Sequence, residues 1–188
     1  KITESNLAGK LLIAMPDMSD PRFAKTVIYV CAHSEDGGMG LIVNKPQSNI
    51  KFPKLLDQMG IKPSQKMHDV QGHFGGPVDG QRGFVLHTTD YKSKTGTLQD
   101  DDKFCMTATI EVLEDIANGA GPTTSMLALG YAGWGPGQLE YEIGQNGWLT
   151  CPPSSEIIFG LDNAKKWSAA LNLMGIDPLL LSASAGRA

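Results

Sequence analysis

Gly38-Met39-Gly40-Leu41-Ile42-Val43-Asn44-Lys45-Pro46 opens the stretch that decides how this chain folds, and Gly75-Gly76-Pro77-Val78 closes it. The first is an apolar run ended by a polar turn; the second is a turn too tight for residues that carry a Cβ. Just upstream, Thr26-Val27-Ile28-Tyr29-Val30 is β-branched or aromatic without interruption, the composition of a strand. Ser34-Glu35-Asp36-Gly37-Gly38 then supplies hairpin chemistry. Lys25 to His33 and Met39 to Val43 are therefore expected to pair as antiparallel neighbours. Further upstream, Leu11-Leu12-Ile13-Ala14-Met15 is short, wholly apolar and stopped by Pro16, which reads as a strand buried on both faces.

Downstream the pattern alternates. Phe52 to Gly60 reads as a short helix, with Pro53 in its first turn, Phe52, Leu55, Leu56 and Met59 on one face, and Gly60 ending it. Gly83 to Thr88 and Phe104 to Ala108 read as strands. Between them, Thr89 to Asp102 is a polar surface loop closed by three aspartates. Thr109 is placed to cap a helix with the apolar face Val112, Leu113, Ile116 and Ala117. Ser125 to Tyr131 is a buried strand leading into the glycine-rich Gly130 to Gly137. A short helix over Gln138 to Ile143, a strand over Trp148 to Cys151 and a final helix over Asn163 to Met174 follow, the last carrying Trp167, Leu171 and Met174 inward. The whole of 1–188 is expected to be one domain, with a frayed tail after about residue 181.

Composition excludes several function classes. Sixteen basic and twenty acidic residues give a net charge of -4. The sequence pI is near 5.5. No basic stripe and no helix-turn-helix pattern is present, so a nucleic-acid partner is not expected. Three cysteines, Cys31, Cys105 and Cys151, lack CxxC spacing, which suits a reducing compartment and buried packing. No apolar run approaches ~18 residues and no leader pattern is seen, so the expected address is cytoplasmic, without a membrane span.

Taken together, several stretches resemble the AlgH/YqgE-like family of bacterial cytosolic proteins. They are Gly9 to Pro16, Phe23 with Thr26 to Cys31 and His33, Gly40 to Pro46, Gly75 to Val78, Phe84 to His87, Gly130 to Trp134 with Gln138-Leu139-Glu140, and Asn146 to Leu149. The resemblance implies an α+β fold in which a mixed β-sheet curls into a partial barrel, with helices packed outside. It brings a transcriptional-regulator label but no catalytic residues to carry over.

The chemistry-bearing residues divide as follows. Cys31 and His33 stand two apart on a strand, so alternation puts thiol and imidazole on one face, the beginning of a nucleophilic site; core packing of Cys31 is the simpler account. His87 ends another strand and is a candidate to face His33 across the sheet. His68, Asp69 and His73 match no zinc spacing and read as surface-loop residues; no metal is expected. Gly130 to Gly137 has the layout of an anion cradle, yet lacks both the P-loop ending and the dinucleotide spacing. Glu140 and Glu142 read as a solvated helix face. The candidate ligand set is His33, Asn44, Lys45, Gly75, Gly76, His87, Gly133 and Trp134, expected to line one crevice. The favoured reading is a non-enzymatic protein that binds a small ligand or a protein partner there, without a cofactor; a DNA-binding regulator and a Cys/His enzyme are the alternatives.

Overall fold

The computed structural model describes residues 6–94, 96–99, 103–177 and 179. The aspartate run 100–102 and the expected frayed tail lie outside the described residues. Among the described residues, nine strands, β1 Leu11–Ala14, β2 Val27–Ser34, β3 Gly37–Ile42, β4 Gly72–Phe74, β5 Val78–Thr88, β6 Thr97–Gln99, β7 Phe104–Thr107, β8 Ser125–Trp134 and β9 Trp148–Cys151, join in one sheet. The order is β6-β7-β5-β8-β3-β2-β1-β9, and β4 lies beside β8 off that path. The β4–β8 pair is parallel and every other pair antiparallel. The helices are α1 Phe52–Gln58, α2 Ile110–Ala117, α3 Gln138–Gly144 and α4 Asn163–Leu173, with a π-helical turn over Glu156–Gly160 just before α4.

The sheet curls into a half-barrel because apolar side chains crowd both of its faces. On β1, Leu11 and Ile13 point into an inner cluster with Tyr29, Leu41, Phe84, Phe104 and Met126. Leu12 and Ala14 point to the other side, among Ile28, Val30, Ile42, Trp134 and Trp148. The inner cluster is closed by Ile157 and Ile158 of the π-turn and by Trp167, Ala170 and Leu171 of α4. Trp167 Nε1 donates to Ala14 O at 2.7 Å, fixing α4 to the end of β1. On the opposite face α1 and α2 bury Phe52, Leu56, Val112 and Ile116 against Val85 and Leu127. Leu139 of α3 covers Trp134 and Trp148.

The expected hairpin, the helices and the doubly buried first strand all form. Three local expectations are corrected. β8 does not stop at Tyr131 but runs on through Gly133 to Trp134, where it pairs with Gly38 to Gly40 of β3. Thr109 precedes α2 without capping it, and its buried Oγ1 has no partner. The third is the supposed loop between Thr89 and Asp102, which carries the edge strand β6.

Candidate functional site

The residues expected to form one crevice are distributed over both ends of the sheet. Trp134 pairs opposite Gly38 at the start of β3, whereas Asn44 follows the end of that strand. The six-residue advance from Gly38 to Asn44 amounts to roughly 20 Å of extended chain. His33 sits opposite Gly38, near Trp134, while His87 pairs with Ser125 at the far end of β8, so the two histidines do not face each other.

Asn44 and Lys45 hold backbone. Asn44 Oδ1 accepts from Val27 N at 2.9 Å and its Nδ2 donates to Lys25 O at 2.9 Å, extending the β2–β3 ladder by one side chain. Lys45 Nζ donates to Arg22 O at 2.8 Å, and partial burial lowers its pKa. Gly75 and Gly76 allow backbone to cross backbone. Gly75 N donates to Leu129 O and Gly75 O accepts from Ile42 N, so the turn bridges β8 and β3. A Cβ on Gly75 would sit 2.3 Å from Gly130 O, and one on Gly76 (φ +155) 2.1 Å from the Tyr131 carbonyl carbon.

The Cys31–His33 pair does not form. A bulge between Val30 and Ala32 inserts one residue, so the alternation is broken at Cys31. Cys31 remains in the inner cluster. His33 turns to the α3 side, where its Nδ1 accepts from Leu7 N at 3.1 Å and its Nε2 lies 3.1 Å from Glu140 Oε1. Nor does the glycine-rich segment cradle an anion: Gly130 to Trp134 is strand, and Gly135 N is taken by Gln138 Oε1. Glu142 is also engaged. Its Oε1 accepts from the indoles of Trp134 (3.1 Å) and Trp148 (2.9 Å), and its Oε2 from Gln138 Nε2. His87 is fully buried, its Nδ1 donating to Thr88 O at 2.8 Å and its Nε2 2.7 Å from Thr107 Oγ1. Burial lowers its pKa.

A different place gathers polar groups around open space. A cleft of about 530 Å³ is bounded by Pro46, His73, Ser125, Asn163, Lys166 and the π-turn. His68 and Asp69 are exposed as expected, but His73 is a buried strand residue, 3% exposed. Its Nδ1 donates to Gln71 O (3.2 Å) and Leu127 O (3.3 Å), and its Nε2 lies 3.3 Å from Asn163 Oδ1. Burial, and after it the nearby Lys166 ammonium, lower its pKa from the ordinary histidine value. Lys166 is also 3% exposed. Its Nζ donates to Val43 O at 2.8 Å and to Ile158 O, in the π-turn, at 2.6 Å. Desolvation pushes its pKa down to about 8. A neighbouring cleft of about 450 Å³ shares Thr124 and Ser125, but is edged by the exposed His68 and Asp69 and has no buried titratable group.

Lys166 and the π-turn escaped the sequence reading. The available signal was helical spacing: Lys166 stands four residues before Ala170, on the stripe that Trp167 and Leu171 define, where an ammonium is out of place. Among the described residues, no three His, Cys, Asp or Glu side chains converge at metal-ligating range, and no helix is long and apolar enough to cross a membrane.

The chain matches the AlgH-like family over residues 11–179. It belongs to that family. Among AlgH-like relatives, the UPF0301 protein of Paracoccus denitrificans is 54% identical over 186 residues, 98% of each chain. One from Ruegeria pomeroyi is 56% identical over 185 residues, 97% of this chain and 100% of the relative. The solution structure of the AlgH protein from Pseudomonas aeruginosa superposes with a TM-score of 0.78 at 40% identity, covering 100% of this chain and 99% of that one. A Corynebacterium diphtheriae protein shares the fold at a TM-score of 0.73 and 18% identity, over 93% of this chain and 91% of that one. The α+β half-barrel is thus the AlgH-like fold.

Proposed function

We propose that this AlgH-like chain is a non-enzymatic binding protein whose small ligand seats in the cleft between the π-turn, the start of α4 and the β4–β8 seam. One observation carries the reading: two buried titratable side chains from separate elements, His73 and Lys166, stand on the wall of the same open cleft. Buried groups with displaced pKa values around a concavity are the usual mark of a ligand site. The π-turn supports it, since i→i+5 turns cost helical geometry and recur at functional positions. Ligand occupancy would act as regulation by changing the surface around Pro46 and Asp162, which a protein partner can read.

A thermal-shift screen of the purified protein against nucleotides, metabolites and short DNA duplexes tests this. A ligand present at 100 times its Kd stabilises the fold by about 2.7 kcal/mol. The gain is expected to vanish in Ser125→Trp, which fills the cleft from its rim. A ligand whose effect survives that variant would place the binding elsewhere. A hit confined to DNA would replace the reading with direct nucleic-acid binding.

A further inference from the structure

We propose that the cleft takes a small oxyanion, a carboxylate or phosphate, seated against the Lys166 ammonium. The inference rests on the ligand reading above and names the ligand's chemistry. Lys166 is nine-tenths buried and more, yet its two acceptors, Val43 O and Ile158 O, are neutral carbonyls. The ion pairs of the described residues are Arg22–Asp20, His33–Glu140 and Lys165–Asp162, so none neutralises it. Asp162, the one carboxylate on the cleft wall among the described residues, has an 82% exposed side chain directed to Lys165.

A buried cation without a counter-charge carries a desolvation penalty that only a nearby opposite charge or further hydrogen bonds offset. An ammonium has three donors. Two are spent on carbonyls, and the third has no protein acceptor among the described residues. The cleft is the open space beside it. Its other walls offer neutral hydrogen-bonding groups, the Ser125 and Thr124 hydroxyls and the Asn163 amide, beside the exposed Asp162 carboxylate. Asn163 begins α4, whose N-cap residue, Asp162, makes no side-chain cap, so the first-turn N–H groups add a favourable dipole. Beside Lys166, the charged form of His73 is disfavoured by burial first and by the ammonium second.

The test follows the Lys166 ε-methylene by NMR in lysine-labelled protein, assigned by comparison with Lys166→Met. Titrations are run in sodium acetate, in inorganic phosphate and in sodium chloride at matched ionic strength. In chloride the midpoint is expected near about 8. Saturating oxyanion is expected to raise it by about one unit or more, because a neighbouring negative charge favours the ammonium. Acetate acting alone would mark a carboxylate site, and phosphate acting alone a phosphate site. The oxyanion-induced rise in Tm should disappear in Lys166→Met, weaken several-fold in Asn163→Ala and persist in Lys165→Met, which removes the exposed neighbour. If Lys166→Met does not fold, the wild-type titration and Asn163→Ala still decide. Identical midpoints in the three salts, with a neutral ligand stabilising the fold through the cleft, would overturn the oxyanion assignment and leave the ligand reading standing. A fold that no ligand of any charge stabilises would remove the reading beneath it.

Discussion

Two polar regions of this half-barrel look equally suggestive in sequence and differ in what they have left to offer. At the Trp134 end, Glu142 receives both indoles and Gln138, and His33 is held between Leu7 N and Glu140. Around Asn44 and Gly75 the side-chain amide and the turn are bound to backbone groups of Lys25, Val27, Ile42 and Leu129. At the Lys166 cleft a cation lacks its counter-charge, and the space for one stands open. Polar residues whose bonding capacity is exhausted hold the fold; those with capacity to spare are available to a ligand.

Four measurements sharpen or break this contrast. The largest effect belongs to the turn. Gly76→Ala forces a Cβ to within 2.1 Å of the Tyr131 backbone, so a loss of about 3 kcal/mol or more is expected in urea unfolding. A mild effect would mean that the turn is a yielding surface. Glu142→Ala orphans two largely buried indole N–H groups and is expected to cost about 2 kcal/mol.

Lys166→Met comes next. At pH 7 the change should be about 1 kcal/mol in either direction, since removing a desolvated cation offsets the loss of donors to Val43 and Ile158. Its pH signature is more telling. The folded pKa, about 8, lies below the unfolded value of about 10.4, so the unfolded state binds the extra proton between them. Wild-type stability should therefore gain a contribution as pH rises from about 8 to about 10.4, and Lys166→Met should lack it. His73 and His87 act in the acid range with the same sign. Their lowered pKa values preserve stability above about 6.5 and lose it as pH falls through the folded values. The smallest effect is Thr109→Val, expected to be neutral or slightly stabilising, because the buried hydroxyl has no partner to lose.

Much of the scaffold was legible in residue order alone. The uninterrupted β-branched or aromatic run after Lys25, the Glu35-Asp36 turn and the continuous apolar run from Leu11 to Ala14 are local properties, set by backbone sterics and side-chain composition. So were the helices, whose apolar stripes repeat within a few residues. Tertiary structure alone decided where the candidate site lies. One inserted residue at Cys31 sent His33 to the other face, an outcome that depends on the register with β3 rather than on either residue. His73 became buried because β4 lies parallel against β8, a pairing between segments far apart in the chain. Lys166 acquired its lowered pKa from desolvation under the inner cluster, and its partners, Val43 and Ile158, come from different parts of the sequence. Periodicity is a short-range property and survives in any window of the chain; desolvation and charge balance are long-range, and exist only once the sheet has closed around them.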